Sequence, residues 1–65
     1  MDMTQANLPE WAIKIKQLRV KLKLTQREFG RLFDVSQVAV SWWESGINEP
    51  PASVFMKIIK ALNDD

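Results

Sequence analysis

The 65 residues contain no cysteine and no histidine. Those two absences exclude disulfide staples, thiolate chemistry and nearly every zinc site, which need sulfur or imidazole groups. No apolar run approaches the ~20 residues of a membrane span. The opening Met1-Asp2-Met3 lacks the basic-then-apolar start of a signal peptide. Glycine occurs only at Gly30 and Gly46, so there is no glycine-rich loop to cradle a phosphate. No carboxylate pair is placed for a catalytic cleft, and no repeat, low-complexity tract or linker is visible. No enzymatic activity, cofactor, metal or membrane partner is therefore expected, and a cytoplasmic location is the default.

What is present describes a small folded unit. The length permits one domain, and a hydrophobic content of 46% beside 26% charged residues belongs to a globular chain, not a disordered tail. A chain of this size buries only about 60% of its unfolded surface, so its stability is marginal and rests on well-packed helices or on an oligomeric partner. The net charge of +1 hides an asymmetry. Between residues 11 and 33, seven basic residues (Lys14, Lys16, Arg19, Lys21, Lys23, Arg27 and Arg31) face Glu28 alone, a local charge of +6. Residues 34–65 set Lys57 and Lys60 against five carboxylates, for −3. A polyanion responds to the local field more than to the sum. The same basic run could also be an ordinary solvated helix face.

Residues 1–8 are expected as a loose N-terminal arm, and 9–65 as the single domain. Pro9 suits a helix's first turn. Ile13-Lys14-Ile15-Lys16 alternates as a strand does, yet Leu8, Trp11, Ile15, Leu18 and Leu22 also fit one helical face. Nothing else could pair with a strand, so a helix over about 9–22 is expected, leaving Val20 or Ile13 partly exposed. Thr25 with Glu28 three residues on forms a capping box, which opens a second helix over about 26–33 with Phe29, Leu32 and Phe33 inward. Ser36 is a further N-cap, and Val40 and Trp43 give a third helix over 37–45 its inner face, ended by Gly46. A proline-containing loop precedes a fourth helix over 52–62, with Val54, Phe55, Ile58, Ile59 and Leu62 apolar. The expected fold is all-α, a compact bundle of four short helices. The close spacing of the second and third makes them a helix-turn-helix.

The ordered set Leu18-Arg19, Leu24-Thr25-Gln26, Glu28-Phe29, Val35-Ser36-Gln37, Val40-Ser41, Trp43-Glu44, Gly46, Pro50 and Lys60-Ala61-Leu62 resembles the phage-repressor and Cro type of helix-turn-helix domain. The resemblance covers roughly residues 13–62 and implies a lambda-repressor-like bundle that binds double-stranded DNA. It implies that the third helix enters the major groove, with Gln37, Val38, Ser41 and Trp42 as base contacts. Glutamine matches the N6 and N7 edge of adenine, and valine the methyl of thymine. Gln26, with Thr25, Arg27, Arg19 and Ser45, is expected on phosphates, and Arg19 with Glu44 as a structural ion pair. The resemblance also implies a homodimer on a two-fold symmetric operator, working on the nucleoid as a repressor-like regulator.

This sequence departs from the family pattern in places. Gly30 stands where alanine is usual, a position kept small because the next helix is expected to cross close above it. Asp34 and Lys23 stand where glycine is frequent, and Trp42 where a long polar side chain is common. Relatives often continue into a fifth helix, and none is expected in these residues. Two other readings remain open. The exposed indole of Trp42 and the acidic residue Glu49 also suit a protein-interaction module on the same fold, and the chain could be the DNA-binding part of an antitoxin or longer regulator.

Overall fold

The computed structural model describes residues 8 to 64, and the expected arm over residues 1–7 lies outside them. Four helices follow one another: α1 Glu10–Lys21, α2 Gln26–Leu32, α3 Gln37–Glu44 and α4 Ala52–Asn63. Among the described residues there is no strand. The alternation at residues 13–16 therefore resolves as a helix, with Ile15 fully buried, Ile13 half-buried and Lys16 exposed. Pro9 is the N-cap of α1, one place before the expected first-turn position. Leu22, Phe33 and Ser45 cap their helices instead of extending them, while α4 runs one residue further than expected.

The core is one cluster: Ile15 and Leu18 from α1, Phe29 from α2, Val40 and Trp43 from α3, and Ile58 from α4. α1 packs on both α3 and α4, and α2 packs on α3. Two expected inward residues are not inward. Leu32 is 59% exposed and Leu22 is also exposed. Each stands in the last turn or cap of its helix, where the chain is already turning away, and Ala12 is buried on α1 instead. Val20 is the residue left outside. Leu8, counted with the arm, is half-buried and lies beside Gly46.

One device closes α1, α2 and α3. In each, a residue with positive φ follows the cap: Lys23 at 59°, Asp34 at 60° and Gly46 at 78°. At each closure the next two N–H groups bond back onto the last turn. Lys23 and Leu24 donate to the carbonyls of Val20 and Arg19, Asp34 and Val35 to those of Arg31 and Gly30, Gly46 and Ile47 to those of Trp43 and Trp42. This is the Schellman closure, which pairs carbonyls that a helix end otherwise leaves open. Glycine occupies only the third, so the first two carry backbone strain of about 1–2 kcal/mol each, somewhat less for aspartate. Lys23→Gly and Asp34→Gly are each expected to stabilise the domain by up to about 1 kcal/mol, after the entropy that glycine costs. Urea midpoints measure this, and a loss at Lys23→Gly would contradict it.

Gly30 is small because the backbone that leaves α2 and opens the next helix lies directly over it. A Cβ there would lie 2.6 Å from the carbonyl oxygen of Val35 and 3.3 Å from the backbone of Ser36. The closure of α2 folds the chain onto its own last turn, and that turn's backbone excludes a side chain.

Candidate nucleic-acid interface

The two helices of the motif are each fixed at their start. The Thr25 hydroxyl accepts from the N–H of Glu28 at 3.1 Å, and the Glu28 carboxylate accepts from the N–H of Thr25 at 2.8 Å. These bonds, with the charge of Arg31 nearby, hold the Glu28 carboxyl below the usual carboxylate range. Ser36 Oγ accepts from the N–H of Ala39 at 3.0 Å and opens α3. Each side-chain oxygen satisfies an N–H that the first turn of a helix leaves unpaired. The α3 start is thereby fixed in direction, and Gln37 and Val38 stand exposed on it.

Trp42 and Trp43 are neighbours with opposite placements. One residue turns a helix by about 100°, so adjacent side chains cannot share a face. Trp43 is 5% exposed in the core, and Trp42 is 46% exposed outside it. Ser41 is half-buried, and Ser45 is exposed at the cap. The candidate base-reading group of Gln37, Val38, Ser41 and Trp42 is therefore carried by one short helix whose opposite side, Val40 and Trp43, is buried. That outer surface is uncharged, and residues 32–56 contain no lysine or arginine.

Below it lies a polar junction joining three segments. Arg19 donates from Nε to Glu44 Oε2 at 2.7 Å and from Nη2 to Oε1 at 3.1 Å. Its Nη1 donates to the carbonyl of Leu24 at 3.0 Å, just before the capping box. Gln26 Nε2 donates to the same Glu44 Oε1 at 3.3 Å. The Arg19 and Glu44 side chains are 18% and 7% exposed. A forked, two-point pair of this kind fixes orientation as well as distance. The end of α1, the start of α2 and the end of α3 are thus tied at one carboxylate.

This geometry alters the picture for the candidate phosphate residues. Gln26 is half-buried and has its amide hydrogen-bonded to Glu44. Three of the five N–H groups of Arg19 are engaged within the protein. Thr25 and Arg27 are exposed at the start of α2, with Lys23 and Arg31 exposed on the same segment. The Leu24 carbonyl and the Gln26–Glu44 bond were not evident from sequence, since Gln26 and Glu44 are 18 positions apart and no local pattern joins them.

A seven-residue helix, a tight turn with a positive φ at Asp34 and a second short helix with an outward polar and apolar face together make a helix-turn-helix. The helix-turn-helix family matches residues 15–63. The chain belongs to that family, the Cro/C1-type helix-turn-helix. Repressor protein C2 of Salmonella phage P22 is 39% identical over 49 residues, covering 75% of this chain. The chain spans only 23% of that relative's length. No solved structure matches the chain. Among the described residues no helix is long and apolar enough to cross a membrane.

Proposed function

We propose that the chain is the operator-reading part of a repressor-like transcriptional regulator acting on the nucleoid, with α3 in the major groove. The observation that carries this is the exposed start of α3, where Gln37 and Val38 project from a helix anchored behind by Val40 and Trp43. In this reading Gln37 pairs with an adenine, Val38 touches a thymine methyl and Ser41 bonds a base or phosphate. Thr25, Arg27 and Ser45 take phosphates, as does Gln26 through its second amide N–H. Arg19 adds at most its two uncommitted N–H groups. Its charge is balanced by Glu44, so its share of the electrostatic attraction is small. The chain would bind as a homodimer on half-sites about one helical turn apart, the arrangement of dimeric helix-turn-helix repressors.

The experiment is selection of bound sites from a random duplex pool, followed by salt titration on the winner. Each phosphate neutralised adds about 0.9 to the slope of log affinity against log salt. Arg27→Ala is expected to reduce that slope by about this amount. Gln37→Ala is expected to leave the slope alone and to weaken the selected site by about 1–3 kcal/mol. A flat salt response, or equal affinity for every duplex, would end the proposal.

A second reading has its own observation. Met56 is exposed on α4, and a depression of about 230 Å³ is lined by Trp11, Glu49, Pro50, Ala52 and Phe55. A protein partner, including a second copy, could use that face. Charge reversal at Arg27 separates the readings, since partner binding would survive it and DNA binding would not.

A further inference from the structure

The outer face of α3 is apolar where an uncharged polar surface would serve as well. Val38 and Trp42 are four residues apart and both exposed, so they stand one above the other on a single helical face. The closure of α3 extends that face. Ile47 donates its N–H to the carbonyl of Trp42 at 3.0 Å, which makes the two the paired positions of the closure. A hydrophobic contact between the side chains at those positions frequently accompanies this closure. Ile47 is 66% exposed, the core cluster excludes it, and it follows directly on Gly46, whose φ of 78° sets its direction. The result is a strip, Val38–Trp42–Ile47, along the length of the helix that the preceding reading puts in the groove.

We propose that Trp42 is the specificity determinant of this interface, and that its indole, flanked by Val38 and Ile47, selects the 5-methyl group of a pyrimidine in the major groove. The inference rests on the DNA-reading function and names the chemical feature read. The groove floor offers donors, acceptors and one apolar group, the methyl at C5 of thymine. An indole carries one N–H and no acceptor or charge, so it can donate a single hydrogen bond but cannot make the two-point readout that glutamine or arginine gives. Its large flat apolar surface matches a methyl instead. Trp42 cannot retreat inward, because Trp43 already fills the core position next to it. The surrounding charge favours DNA over a protein as occupant. The strip is neutral, and the exposed cations Lys23, Arg27 and Arg31 lie on α2 and the turn before it, the segment packed on α3.

The test uses the selected duplex with single thymines replaced by deoxyuridine, which removes only the methyl. Binding is measured for the wild-type chain, Trp42→Ala, Trp42→Gln and Trp42→Phe. At one or two positions per half-site the wild-type chain is expected to lose about fourfold in affinity per methyl removed, the worth of one buried carbon. Trp42→Ala and Trp42→Gln are expected to bind thymine and deoxyuridine equally at one of those positions, while Trp42→Phe keeps the discrimination. At that position 5-methylcytosine should bind better than cytosine for the wild-type chain and Trp42→Phe, and not for Trp42→Ala or Trp42→Gln. Unfolding midpoints of the variants, expected to match wild type because the residue is exposed, separate a binding effect from a folding one. If no thymine is sensitive, or if the sensitive ones stay so in Trp42→Ala, the inference is wrong although DNA reading stands. Trp42→Ala with unaltered DNA affinity but lost self-association would also overturn it and give the strip to a protein contact. A wild-type chain that selects no site removes the DNA reading itself.

Discussion

Replacing Glu44 by alanine is expected to cost about 3 kcal/mol and to lower the melting temperature by more than 10 °C. The carboxylate is 7% exposed and accepts hydrogen bonds from both Arg19 and Gln26, so its removal strands a guanidinium that is itself only 18% exposed. Breaking a buried pair by deleting one partner costs about 3–5 kcal/mol, and the remaining solvent contact of Arg19 puts this case at the lower end. A domain of this size holds only about 0.05–0.15 kcal/mol per residue, so much of its stability is at stake. One kcal/mol moves the melting temperature by about 4–8 °C in a chain this short. Thermal and urea unfolding followed by circular dichroism measure both quantities. A loss under about 1 kcal/mol would mean that the pair behaves as a surface ion pair. Replacing both partners, Arg19→Met with Glu44→Leu, is expected to restore most of the stability while leaving DNA affinity below wild type, because an apolar pair packs but does not orient Gln26 for its phosphate.

Phe29→Ala is expected to be at least as damaging, at about 3–5 kcal/mol. Phe29 is fully buried, and it is the one side chain of α2 in the core cluster. Its ring tilts at 50° to that of Phe33, with centroids 4.7 Å apart, so the truncation also unsupports the residue that caps α2. A seven-residue helix has no independent stability, and without this anchor its capping box has nothing to hold in place. The variant should unfold at low urea with a broadened transition, whereas Phe29→Leu should cost under about 1.5 kcal/mol. Cooperative unfolding of Phe29→Ala near the wild-type midpoint would show that α2 is held from elsewhere.

Both predictions concern links that differ in how far the sequence revealed them. Thr25 and Glu28, three positions apart, announce a helix start because the bonds they make are local. The same locality made the α3 cap at Ser36 and the inward pair Val40 and Trp43 readable from spacing alone. Leu32 and Leu22 misled for a complementary reason. Periodicity says which face a residue would share if the helix continued, and both sit where it stops.

The sequence by itself determined the helices, their caps, the inner face of α3 and the cationic first half, since each depends on neighbours within a few positions or on charge counted along the chain. The tertiary structure alone decided that Gln26 is bonded to Glu44, that the Leu24 carbonyl takes the third bond of Arg19, that Gly30 is small because the turn folds back upon it, and that Val20 is exposed while Ile13 is half-buried. Those outcomes depend on how three helix ends meet. A hydrogen bond between residues 18 or 25 positions apart is set by the path of the chain between them, which no short-range pattern encodes.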